Sequence, residues 1–209
     1  MSAPSGLSTN VAFTPAVKAI QARKGSREHC ARIDERGGWH TEVEEHLAAF
    51  LAETDSLYLA TASADGQPYI QHRGGPKGFI RVLDKKTLAF ADYNGNRQYV
   101  TQGNLSENPK AYIFLMDYVQ RRRLKIWGEA RVVEDDPALL ESLMPKGYKA
   151  RPEQVILFSV SAWCGNCPSH IPQKFDAAEV MAVLAARDTR IAQLEAELAA
   201  LKGEHAPSQ

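Results

Sequence analysis

Between Leu57 and Val133, short apolar runs alternate with turn residues. Leu57 to Ser63 has the two-residue period of a half-buried strand, and Asp65-Gly66 supplies a hairpin turn. Tyr69 to Arg73, Phe79 to Leu83 and Thr87 to Ala91 continue the pattern, with Lys85 and Lys86 at the last turn. Asn94-Gly95-Asn96-Arg97 opens a short helix that Asn108-Pro109 ends. Ala111 to Met116 and Leu124 to Val133 close the set. Closely spaced strands with short turns predict an antiparallel sheet curling into a small barrel. A parallel sheet needs a crossover between successive strands, and the spacing leaves no room for one.

The flanks have a helical period. Residues 1–13 form an arm. Pro15 suits the first turn of a helix running to about Lys24, with Gly25 as its stop. Ser26 to Arg36 predicts a second helix, closed by Gly37-Gly38. Thr41 with Glu44 fits a capping box for a helix over Glu42 to Glu53. Val43, His46, Leu47, Phe50 and Leu51 share one face of it, and His46 is expected to be a satisfied or half-exposed histidine, not a ligand. Val155 to Ser161 is a further strand. From Asp176 the chain is alanine-rich and helical. Val180, Leu184, Arg187, Ile191, Leu194, Leu198 and Leu201 form a heptad seam interrupted by Arg187, and Gly203 to Gln209 is predicted to be disordered. The pattern divides the chain into an arm with short helices (1–40), a barrel domain (41–175) and a C-terminal amphipathic helix (176–209).

Composition narrows the class. Of 209 residues 44% are hydrophobic, which sustains a core without disulfides. Lys plus Arg equals Asp plus Glu at 25 each, which argues against a general nucleic-acid or membrane-surface role. No apolar run approaches the ~18–20 residues of a membrane span. The start MSAPSGLSTNVAF lacks a signal peptide's charged end and apolar centre. Three cysteines make no disulfide framework. A cytoplasmic protein is expected, with no nucleic-acid or membrane partner.

Three pieces carry candidate chemistry. Gln71-His72-Arg73-Gly74-Gly75 ends a strand with polar groups and two glycines that permit close backbone approach. Gly95-Asn96-Arg97-Gln98 puts an arginine and two amides at a predicted helix start, where unpaired N–H groups attract anions. Arg121-Arg122-Arg123 opens a strand; alternation sends Arg121 and Arg123 to one face and Arg122 to the other. Without a ligand in view, each also reads as solvated arginines at turns.

In this order, and with Gly128-Glu129-Ala130 after Arg123, the pieces resemble the FMN-binding split barrel of the pyridoxamine 5'-phosphate oxidase-like superfamily, over roughly residues 45–175. The resemblance implies a mainly β fold with flanking helices (α+β), an antiparallel split β-barrel. It implies FMN held at a homodimer interface, and hydride transfer at flavin N5 with a small-molecule substrate. Arg97, Asn96 and Gln98 would take the phosphate. Gln71, His72, Arg73, Gly74 and Gly75 would run along the flavin, and Lys77 stands where the family's lysine is displaced. Asp92 would bond the ring or brace Arg97. Arg123 occupies the position that reaches the flavin from the partner subunit, where Gln is common. Flavin chemistry of this kind needs no side-chain acid or base, so no catalytic residue is assigned. The family's oxidases grip substrate with a Trp-Gln-Gly-Gly and Arg-Leu-His segment. Here Asn166-Cys167-Pro168-Ser169-His170 stands instead, so pyridoxamine-phosphate oxidation is not expected. Asn166, Cys167 and His170 become candidates for the substrate side.

Two other readings stay open. Split barrels also serve as flavin- or haem-binding sensors or stores without turnover. Trp163-Cys164-Gly165-Asn166-Cys167 matches the spacing of a dithiol redox motif, although it lacks the βαβ setting. Cys164, Cys167 and His170 offer three metal ligands, with Cys30 as a fourth, but no metal is expected.

Overall fold

The computed structural model describes residues 7–165 and 168–204. Its strands are β1 Ser56–Ala62, β2 Pro68–Gly74, β3 Arg81–Asp84, β4 Thr87–Tyr93, β5 Lys110–Asp117, β6 Arg122–Val133 and β7 Pro152–Gly165. They form one antiparallel sheet in the order β2-β1-β5-β6-β7-β4-β3, with β2 and β3 as its edges. This is the expected mainly β split barrel. Its inner face follows the two-residue period: Leu57, Leu59, Leu88, Phe90, Ile113, Leu115, Ile126, Ile156 and Phe158 are fully buried. Gly128 sits where the register between β6 and β7 shifts. A Cβ there would lie 2.0 Å from the Ser159 carbonyl and 2.6 Å from the Phe158 ring, so only glycine lets these strands approach.

Among the described residues six α-helices accompany the sheet: α1 Pro15–Arg23, α2 Arg27–Glu35, α3 Glu45–Ala52, α4 Val100–Glu107, α5 Pro137–Leu143 and α6 Ala177–Glu204. α1 and α2 lie where glycine punctuation puts them. α3 begins three residues later than the capping box implies, with Glu44 as its N-cap. Tertiary bonds claim the missing turn. The Thr41 carbonyl accepts from Lys86 Nζ, the Glu42 carbonyl accepts from Trp163 Nε1 at 2.7 Å, and Val43 N donates to Lys85 O at 2.7 Å. Leu47 and Leu51 enter the core, while His46 stays exposed. α5 is absent from the sequence pattern read above. Asp136 caps it, accepting from Leu139 N at 2.8 Å, and its Leu139, Leu140 and Leu143 cover Ala89 and Ala91. β4 is therefore buried on both faces.

The chain divides into two compact units, Met1–Asp117 with Arg122–Ser169, and Tyr118–Arg121 with His170–Gln209. The first holds the sheet. In the second, Lys174 Nζ lies 4.2 Å from the Tyr118 ring, Gln173 donates to Val119 O at 3.3 Å, and α6 follows. No helix among the described residues is long and apolar enough to cross a membrane.

Candidate functional site

Gln71, Arg73, Asp92, Asn96 and Arg97 line one cleft. Tyr93, Gly95, Tyr99, Glu153, Gln154 and the first turn of α4 complete its wall. It is a shallow cleft of about 40 Å³ that opens to solvent, well below the ~300–1,000 Å³ usual for an enclosing ligand pocket. Strand alternation decides which β2 residues enter. Gln71 and Arg73 pair with the core residues Leu59 and Leu57 and share their side. His72 points the other way, its ring 5.6 Å from that of Tyr58.

The centre of the cleft is an ion pair. Arg73 Nε lies 2.7 Å from Asp92 Oδ1, with side chains only 14% and 11% exposed. The Nε–H has no aligned acceptor, so the contact is charge against charge. Around it, Arg73 Nη2 donates to Thr101 Oγ1 at 3.4 Å, and Gln154 Nε2 donates to Asp92 Oδ2 at 3.0 Å. Thr101 Oγ1 and the Tyr69 hydroxyl both donate to Gln71 Oε1, at 3.3 and 3.2 Å. Asp92 therefore braces Arg73, not Arg97.

The loop after β4 departs from expectation. The helix starts at Val100 and not beside Arg97, because Arg97 and Tyr99 adopt left-handed backbone at φ 58° and 53°. Asn96 Oδ1 accepts from Gln98 N at 3.2 Å and fixes the turn. Arg97 is exposed, and its Nε donates to the Tyr99 hydroxyl at 3.2 Å. That bond, with Tyr99 and Glu153 nearby, raises the guanidinium pKa further. The first N–H groups of α4 lack intrahelical partners and belong to the cleft wall.

The remaining candidates lie elsewhere. Gly74 ends β2, and a Cβ on Gly75 would lie 2.8 Å from Phe79 Cβ, so this glycine makes room for packing. Gln98 is exposed outside the cleft lining. Lys77 Nζ stands 3.3 Å from Glu53. Arg121 precedes β6 with φ 53°, so strand alternation does not reach it. Arg122 pairs with Asp117 at 2.8 Å and covers the Phe50 ring at 5.2 Å.

Arg123 faces away from the core, with Lys125 and Trp127 on β6 and Tyr112, Phe114 and Met116 on β5. Its Nε is buried with no hydrogen-bond partner among the described residues. Burial pushes the neighbouring Tyr112 phenol up to about 12; Cys164 adds to the shift and Arg123 opposes it. Trp127 stacks on Trp39 at 4.7 Å and meets Tyr112 edge-on at 5.1 Å. Cys164 is opposite Lys125 within β7, and burial raises its thiol pKa despite that lysine. An attacking dithiol cysteine needs the reverse shift. Asn166 and Cys167 lie outside the described residues, and His170, at φ 63°, belongs to the second unit.

Thr101, Gln154, Tyr99 and Glu153 are cleft residues that sequence reasoning missed. Thr101 sits one turn beyond the Gly95–Gln98 segment, a spacing that could have drawn attention to it. Gln154 and Glu153 reach the cleft only through the pairing of β4 with β7.

Residues 43–167 match the family described as Pyridoxamine 5'-phosphate oxidase. No curated protein matches. Among solved structures, HupZ of Group A Streptococcus is similar at 20% identity and TM-score 0.49, over 63% of this chain and 100% of that one. A putative pyridoxamine 5'-phosphate oxidase from Lactobacillus delbrueckii has 21% identity and TM-score 0.46, covering 60% and 95%. An FMN-binding protein from Syntrophomonas wolfei has 11% identity and TM-score 0.45, covering 70% and 97%.

Proposed function

We propose that this chain, which belongs to the pyridoxamine 5'-phosphate oxidase family, is a homodimeric FMN-dependent oxidoreductase acting on a small molecule. One observation carries the reading: two guanidinium groups and the first turn of α4 converge on one cleft. That donor set suits a phosphate monoester. Arg73 and Arg97 supply charge, and the N–H groups at the start of α4 supply oriented donors. Asp92 does not repel such a ligand outright, because Arg73 and Gln154 already occupy its oxygens. Gln71 is fixed by Tyr69 and Thr101 and offers its amide to a flat ring. FMN, when bound, supplies hydride chemistry at N5. The protein's share is to fix the phosphate, orient the ring and shield it from water.

Dimerisation is supported by the outward sheet face. Ile70 is 59% exposed there, and Tyr58, Tyr112 and Phe114 share that side. The seam of α6 is also uncovered, with Leu184, Ile191 and Leu198 about half exposed. In a parallel pair of such helices, Arg190 would face Glu195 of the second copy, a matched g-to-e charge pair. Arg123, half-buried and with an Nε lacking an acceptor, is the group a second copy would present to the flavin's N1/O2 edge.

The test is an absorbance spectrum of the purified protein after incubation with FMN and gel filtration. Bands near ~450 and ~370 nm, co-eluting at dimer size, are expected of bound flavin. Bleaching by a nicotinamide donor under argon would identify an oxidoreductase. A colourless protein that releases FMN, or a haem Soret band, would overturn the assignment.

A further inference from the structure

We infer that His40, Glu44 and His46 form a binding site for a divalent transition metal ion of the zinc type. The site lies at the Trp163 end of β7, whereas the cleft lies at its Gln154 end. Nine residues of strand separate the two, roughly 30 Å.

Two imidazoles and one carboxylate are a common donor set for zinc, leaving a fourth position to water. One ligand atom from each residue lies within 4.8 Å of the other two. His40 Nδ1 stands 2.8 Å from Glu44 Oε1, and His46 Nδ1 stands 3.7 Å from Glu44 Oε2. Tetrahedral zinc with bonds of ~2.0–2.1 Å would hold neighbouring ligand atoms roughly 3.3 Å apart. The two observed distances, one to each carboxylate oxygen, bracket that value, and the third side of the triangle is within 4.8 Å, so rotation of these exposed side chains completes the geometry. An ordinary histidine–glutamate hydrogen bond explains His40. It does not explain His46, which directs its Nδ1 at the same carboxylate from beyond hydrogen-bond range.

The cluster is also supported from behind. Trp163 is almost fully buried. Its indole stacks on His40 at 4.4 Å and tilts against His46 at 4.5 Å. Trp163 N donates to the His40 carbonyl at 2.8 Å, and Nε1 donates to the Glu42 carbonyl at 2.7 Å. The backbone carrying the ligands is thus tied to the core before any ion arrives. Side-chain exposures of 45%, 49% and 58% for His40, Glu44 and His46 leave the outer side open to an ion and its water. A bound ion would clamp the start of α3 onto β7. Because imidazoles must be neutral to bind, protons compete with it.

The experiment uses the full chain, stripped with EDTA. Zn²⁺ is titrated by calorimetry and Co²⁺ by its visible absorption. One ion per chain is expected, with Kd about 10 µM or below, as is a melting temperature several degrees higher under saturating Zn²⁺. His40→Ala, Glu44→Gln and His46→Ala should each weaken binding at least about tenfold and cancel the thermal shift. Co²⁺ should quench part of the tryptophan emission, since Trp163 touches both rings. A Cys164→Ser, Cys167→Ser chain serves as control and should bind normally. No binding below about 100 µM, unchanged binding in His46→Ala, or loss of binding in the cysteine control would each overturn the site. FMN retention is irrelevant to all three outcomes.

Discussion

Arg73 and Arg123 are two arginines on one sheet, and each has a buried Nε without an aligned hydrogen-bond acceptor. Their surroundings differ. Arg73 has Asp92 at 2.7 Å, and Gln154 and Thr101 complete a closed polar network. Arg123 has the Tyr112 phenol beside it, held toward its neutral form by burial. The first cation is already compensated, so its charge serves to hold the cleft in shape as well as to attract an anion. The second is half-buried, with its Nε buried and lacking an acceptor, so an arriving anion or carbonyl can still take that donor. One is scaffold and the other is bait.

The largest predicted effect separates them at once. Arg73→Ala leaves the Asp92 carboxylate buried without its cation, and unfolding free energy should fall by about 3 kcal/mol, read from the urea midpoint. Adding Asp92→Asn should recover part of that loss, because the orphaned charge is gone. Arg123→Met is the contrasting substitution. It removes a buried donor with no partner, so the free protein should be as stable as the parent or slightly more so. FMN affinity should drop roughly tenfold to a hundredfold, the worth of one hydrogen bond to a charged group. Equal destabilisation by both variants would end the distinction between the two arginines.

The same contrast shows what a sequence can disclose. The placement of Gln71 and Arg73 in the cleft follows from a period of two along β2, and that period was legible. Their partners were not. Thr101 and Gln154 reach the cleft through strand register and helix placement, 28 and 81 residues beyond Arg73. The late start of α4 depends on left-handed backbone at Arg97 and Tyr99, which non-glycine side chains do not announce. The late start of α3 depends on bonds to Lys85, Lys86 and Trp163. At α3 tertiary contacts overrode a sound local signal, and at α4 the backbone of the preceding loop did. At Trp163 to Gly165 the motif drew attention to cysteine chemistry, while the chain simply continues as β7.

A glycine pair sharpens the scaffold side by a smaller amount. Gly75→Ala forces a Cβ to within 2.8 Å of Phe79 and should cost about 1–3 kcal/mol in the urea midpoint. Gly95→Ala meets nothing within 4 Å and should leave the midpoint nearly unchanged. FMN retention per folded molecule should survive Gly75→Ala. If it is lost while folding is intact, Gly75 lies against the ligand and its packing role is secondary.

The smallest effect tests how far the surroundings of Arg123 exclude water, through its neighbour. The Tyr112 phenol is pushed up to about 12, first by burial, then by Cys164, with Arg123 pulling the other way. An unfolded tyrosine titrates near ~10. Below that pH both states hold the proton, and the stabilising contribution is complete. Between about 10 and 12 the unfolded chain loses its proton while the folded one keeps it, so stability falls as pH rises. Tyr112→Phe should therefore flatten the alkaline limb of the stability curve within that window and leave neutral pH nearly unaffected. Arg123→Met removes the cation that favours the phenolate, so its limb should begin at the same pH and extend higher. An unchanged limb in Tyr112→Phe would mean that this face is wet, and Arg123 would then have no more claim on a ligand than Arg122 at the hairpin end.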